Sequence, residues 1–158
     1  MKWVSWKPEV VQTLKGRDVL TRGSQDGGEP GTDMELVTPG RGGTVGGDGT
    51  FGNTVTIPRH ALKNAEEITV KVACVNGDDQ CAAGVDFLPT MEFQSDVTIT
   101  LSWSFVNTGG GELGLDFKVY YSEDGGETWY EVSDVVVDTE EQTISVDVDH
   151  FTRFAWAL

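Results

Sequence analysis

The feature that most constrains this chain is a strict alternation of apolar and polar residues. Val97, Ile99, Leu101, Trp103 and Phe105 alternate with Thr98, Thr100, Ser102 and Ser104. Side chains repeat every second residue only in an extended strand, so this run reads as a long central strand with one face in a core. The same period marks Ile68, Val70 and Val72, and again Leu113, Leu115, Phe117, Val119 and Tyr121. Shorter strands are expected at Met34–Thr38, Thr54–Ile57, Thr128–Val132, Val135–Asp138, Gln142–Val148 and Phe151–Leu158. No segment carries a convincing helical period; residues 61–67 could make one helical turn. Short strands of Val, Ile, Thr and aromatic residues between Gly-rich turns point to a sandwich or barrel; the expectation is an all-β antiparallel sandwich of roughly eight to ten strands, immunoglobulin-like or of the type named below.

The first third is organised differently. Residues 1–22 carry scattered apolar pieces, and Gly23–Asp33 reads by composition as a flexible linker. The expected organisation is an extended N-terminal arm plus linker over residues 1–33, followed by a sandwich domain over 34–158. Trp3, Trp6, Val10 and Leu14 would then contact a partner or a neighbouring subunit, or form an extra edge strand.

Charge restricts the partners. With 26 Asp and Glu against 11 Lys and Arg, the net charge is −15. Phosphate backbones and anionic membrane surfaces would be repelled, so neither nucleic acid nor membrane is expected. A basic protein partner or a larger assembly fits, and a homo-oligomer is open. No apolar run has the ~20 residues of a membrane span. The start, Met1 to Pro8, has no apolar stretch after its Lys. No signal peptide is therefore expected; the expectation is cytoplasmic synthesis and a place on a virion, with a secreted mature form carrying an added Met as the alternative.

Few groups suggest chemistry. Cys74 and Cys81 flank the turn sequence Asn76-Gly77-Asp78-Asp79. They could close a disulfide across a hairpin base or remain two thiols. Asn76, Asp78 and Asp79 could hold Ca²⁺ in a loop, but the carboxylates lack the spacing of an EF-hand and no metal or cofactor is expected. Asp147 and Asp149 alternate with Val146 and Val148, which puts both carboxylates on one solvent face of a strand. His60 reads as a turn residue.

Ser122, Asp124, Gly126, Thr128 and Trp129 fit Ser-x-Asp-x-Gly-x-Thr-Trp, which resembles the Asp-box of sialidase propellers. Such a motif builds a β-hairpin. The Ser and Asp side chains bond backbone N–H groups, Gly takes positive φ, and Trp packs beneath.

Three further stretches resemble the ZU-five type of domain shared by zonula-occludens, netrin-receptor and ankyrin proteins. They are Gly42-Gly43-Thr44-Val45, Val55-Thr56-Ile57-Pro58-Arg59-His60-Ala61-Leu62 with Ile68-Thr69-Val70, and His150-Phe151-Thr152-Arg153-Phe154-Ala155. The resemblance spans Val37 to Leu158 and implies a non-catalytic protein-interaction sandwich. One branch of that family cleaves itself within His-Phe-Ser. Here Thr152 stands for the Ser, so the resemblance also implies an alternative in which Thr152 attacks the Phe151 carbonyl with His150 as base. The first reading is that Phe151, Phe154 and Trp156 pack in a final strand.

The functional expectation is a structural or interaction protein, most concretely an accessory subunit such as a decoration or cement protein on a virus particle. Besides self-cleavage, the alternative is a carbohydrate- or surface-binding module using Trp103, Trp129, Tyr120, Tyr121 and Tyr130.

Overall fold

The structure is a computed structural model. It describes residues 2–20, 30–75 and 81–158, and of residues 16–20 the backbone alone. The strands are β1 (Thr32–Val37), β2 (Gly43–Gly47), β3 (Asn53–Ile57), β4 (Glu66–Cys74), β5 (Ala83–Leu88), β6 (Glu92–Ser102), β7 (Lys118–Ser122), β8 (Tyr130–Glu131), β9 (Val136–Asp138), β10 (Thr143–His150) and β11 (Arg153–Ala157). A helix, α1, spans Pro8–Leu20.

The strands form two sheets, ordered β1-β4-β5-β11-β7-β8 and β2-β3-β6-β10-β9. All their pairings are antiparallel. The fold is an all-β sandwich, as the alternation requires. The core lies between the sheets. Val97, Ile99 and Leu101 of β6 and Val70, Val72, Val85 and Phe87 of the facing sheet are all buried. Trp103, Phe117 and Trp156 cluster at one end, with ring centroids 5.9–6.4 Å apart. Phe151 meets Phe87 and Phe93 at the other.

Four expectations need correction. The first concerns the arm. Val4, Trp6 and Val10 are buried, and Val11 and Leu14 pack against the core. The backbone of residues 2–6 is wedged between the splayed ends of β5 and β11. Val4 N–H donates to the Trp156 carbonyl at 2.9 Å, and Ala83 N–H donates to the Val4 carbonyl at 2.7 Å. Trp6 N–H donates to the Cys81 carbonyl at 3.0 Å, and Leu158 N–H donates to the Lys2 carbonyl at 2.8 Å. The Trp6 and Val10 side chains are therefore spent on this chain's own core, and Leu14 is partly so. Trp3 stacks edge-on against Trp129 at 4.7 Å. Most of the linker lies outside the described residues.

The second correction is the helix itself. Pro8 occupies its first position, where a missing N–H costs nothing, and Glu9 sits in the first turn. Val10, Val11 and Leu14 make a face too narrow to show a clear period in the sequence.

The third is the run Leu113–Tyr121, which is a strand only from Lys118. Gly114 takes φ 91° and Leu115 points into solvent, so the alternation there belongs to a turn. The fourth is the central strand. It begins at Glu92 and ends at Ser102, with Trp103 and Phe105 in the turn that follows. Trp103 is nonetheless buried. Strand β5 carries no alternation in the sequence because Ala83, Gly84 and Val85 are all buried.

A disulfide joins Cys74 to Cys81, with Cα atoms 4.5 Å apart. It closes the base of the loop at 76–80, which lies outside the described residues together with the Ca²⁺ ligands proposed there. Closing so short a loop removes unfolded-state entropy worth about 2–3 kcal/mol. The double variant Cys74→Ser, Cys81→Ser should therefore unfold at lower urea by that amount, and adding reductant should shift only the unsubstituted protein. An unshifted midpoint in reductant, with free thiols confirmed by mass, would contradict this.

Candidate functional site

The end of β10 and the turn into β11 carry His150, Phe151 and Thr152, and two surface clefts meet there. The turn's geometry follows from the hairpin beside it. β7 pairs with β11 so that Ser122 lies opposite Arg153, and the Asp-box loop grows from the end of β7.

That loop is built from its own side chains. Ser122 Oγ–H donates to Asp124 Oδ1, and Gly126 N–H donates to Ser122 Oγ, both at 2.8 Å. Thr128 N–H donates to Asp124 Oδ1 at 2.8 Å, and Trp129 Nε1–H donates to the Gly126 carbonyl at 2.9 Å. Gly125 and Gly126 take φ of 77° and 101°, which most side chains resist. The Thr128 N–H, then the Ser122 hydroxyl, hold the Asp124 carboxyl down at about 2, from an ordinary 3.8.

A carboxylate with a lowered pKa stabilises the fold above its unfolded value, and that contribution is lost as pH falls through the folded one. The hairpin should thus keep its native amide shifts at Gly126 and Thr128 through pH 3.8 and lose them only as the pH approaches about 2. NMR titration reads this directly. A midpoint at the ordinary value would show that the carboxylate is not held.

The same loop grips the β10–β11 turn. His150 Nε2 bonds Glu123 Oε1 and His150 Nδ1 bonds Asp149 Oδ1, each at 2.7 Å. Asp149, then Glu123, raise the His150 pKa above its usual value against a modest cost of burial. Asp149 is correspondingly lowered by His150. A carboxylate oxygen thus lies on each ring nitrogen, and neither nitrogen is turned to Thr152. The Thr152 hydroxyl is itself donated to the Ser122 carbonyl. The three residues of the self-cleavage reading are thus adjacent, but the acid–base pair it needs is not assembled. Phe151, Phe154 and Trp156 are buried packing residues. Arg153 makes a two-point ion pair with Asp86, Nε–Oδ1 2.6 Å and Nη2–Oδ2 3.0 Å.

The larger cleft, about 720 Å³, opens between the two sheets along β10. Its apolar wall includes Tyr121, Val132, Val146 and Val148, and its carboxylates are Asp96, Glu131, Asp134, Asp147 and Asp149. Asp147 is pinned by Thr98 Oγ1 at 2.7 Å. Among the described residues, no three His, Cys, Asp or Glu converge as metal ligands. The alternation of Asp147 and Asp149 signalled one side of this cleft. Asp96, Glu131 and Asp134 come from other strands and turns, and only the fold brings them near.

The aromatics do not form a row. Trp103 is buried, Trp129 is held by Trp3 and Gly126, and Tyr121 and Tyr130 stack on each other at 5.5 Å. His60 lies in a turn with φ 70°. Among the described residues, no helix is long and apolar enough to cross a membrane. No family model matches the sequence, and no curated protein matches it.

Proposed function

We propose that this chain is a non-catalytic β-sandwich that works by binding another protein, as an accessory subunit of a larger assembly. Decoration of a virus particle is the most concrete form of that reading. The observation that carries it is the cleft along β10, a sizeable surface recess with an apolar wall and an acidic rim. The ZU-five-like stretches, from Gly42 to Ala155, support the same reading, since that type of domain serves mainly in protein interaction. The buried N-terminal segment moves the proposed contact surface away from Trp3–Leu14 and onto the sandwich.

Zero-length carbodiimide coupling of the purified protein to the assemblies of its source cell tests this. It joins surface carboxylates to lysines that lie against them. The expected result is a stoichiometric adduct with one partner protein, lost at high salt. A protein that stays monomeric and couples to nothing overturns the reading. Self-cleavage is tested separately by intact mass. A full-length species that persists under denaturing conditions, unchanged by Thr152→Ala, removes it.

A further inference from the structure

We propose that the β10 cleft receives an extended basic segment of a partner protein, which adds to the sandwich as a strand along Val146–Asp149. This rests on the interaction reading above and specifies its ligand.

The first observation is an open main-chain edge. β9 pairs with β10 only at Thr143, Ile144 and Ser145. Asp134, with φ 57°, turns the chain away before β9 begins. On its other side β10 remains paired with β6 down to Val148 and, past a bulge, at His150. Among the described residues, no strand covers Val146–Asp149 on the β9 side.

The direction of the backbone groups follows from alternation. Trp103 N–H donates to the Gln142 carbonyl at 2.9 Å, so Gln142 faces β6. In an antiparallel ladder successive residues face opposite neighbours. Thr143 and Ser145 therefore face β9, and Asp147 directs its N–H and C=O to the open side. Such a pair is a template for one more strand.

The second observation is what flanks that edge. An added strand sends alternate side chains to the two faces of the sheet. One set would meet Val146, Val148, Val132 and Tyr121. The other would meet Asp147, Asp149 and Asp96. The complementary sequence alternates apolar and cationic residues. A second copy of this chain is disfavoured by its charge of −15, because like charges would face each other across the new ladder. Charge on an edge is a common device against self-pairing. Here it leaves a basic strand as the complement.

The test uses a short synthetic peptide alternating Lys and Val, its Glu/Val counterpart, and a Lys/Val peptide N-methylated at alternate residues. Anisotropy reads affinity, and NMR shifts map the site. The Lys/Val peptide should bind with shifts centred on Val146–Asp149, and the Glu/Val peptide should not bind. N-methylation on the pairing edge should weaken binding by about tenfold or more, the loss expected when buried main-chain bonds go unmade. High salt should weaken it less than N-methylation does.

Asp147→Pro should abolish binding, because it removes the open N–H without touching the β6 ladder. Asp147→Ala, which keeps that N–H, should bind measurably. If Asp147→Pro does not fold, the N-methylated peptide carries the decision alone. Indifference to N-methylation, shifts elsewhere, dimerisation of the chain through this edge, or no binding by the Lys/Val peptide each overturn strand addition. The interaction reading falls separately, only if carbodiimide coupling finds no partner. A partner coupled through carboxylates remote from β10 would leave that reading standing and end this one.

Discussion

Replacing Trp6 with alanine should destabilise the protein by about 3–5 kcal/mol, the cost of emptying an aromatic site in a packed core. Trp6 is 1% exposed. Its indole N–H donates to the Ala73 carbonyl at 2.8 Å, so truncation also removes a hydrogen bond to β4. Its backbone N–H is the bond that ties the N-terminal segment to Cys81. The loss should appear as a lower urea midpoint with an unchanged slope, since the same surface is exposed on unfolding. Trp3→Ala should cost much less, about 1 kcal/mol, because Trp3 is only half-buried and its main contact is the ring of Trp129. Removing residues 1–7 should cost more than either, by stripping the backbone partners of Trp156, Ala83 and Phe105. If that truncated chain keeps the full-length midpoint, the segment is a detachable arm after all.

The contrast between Trp6 and Ile99 explains how much of this protein is legible from its sequence. Ile99 sits in a run whose period alone fixes strand, face and burial, and the sandwich follows from several such runs. The Asp-box loop is legible for a different reason: its bonds join residues within a few positions of each other. Trp6 is buried through partners such as Ala73 and Cys81, far along the chain, and no local pattern encodes that. Leu113–Phe117 shows the converse error, where alternating residues fall in a turn because Gly114 reverses the backbone. The candidate site divides in the same way. His150, Phe151 and Thr152 stand out as a triplet. The carboxylate of Glu123 that holds His150 arrives through the register of β7 on β11, and the open edge of β10 exists because β9 stops early. Both are tertiary facts.

The second large effect should come from a methyl group. Gly46→Ala is expected to cost about 3–5 kcal/mol, combining left-handed strain with a clash against fixed backbone. Gly46 takes φ 98°, and a Cβ there would overlap the Asn53 carbonyl across the β2–β3 ladder. Neither group can move freely. Gly46 N–H donates to Asp33 Oδ2 at 2.7 Å, which ties β2 to β1 of the opposite sheet. The Asn53 carbonyl accepts from Thr50 Oγ1 at 2.6 Å, and Asn53 Oδ1 accepts from Ser102 N–H at 3.0 Å. Thr50 and Asn53 are fully buried, so a shift that relieves the clash breaks bonds that water cannot replace. Gly49→Ala is the control. It lies in the same turn, carries no positive φ, and its Cβ would meet open space, so it should fall within about 0.5 kcal/mol of the parent. Urea midpoints of the two variants, measured side by side, decide the matter. Equal midpoints would mean that β2 and β3 do not approach as closely as Gly46 requires, and with that the anchoring of β1 across the sandwich through Asp33 would fall too.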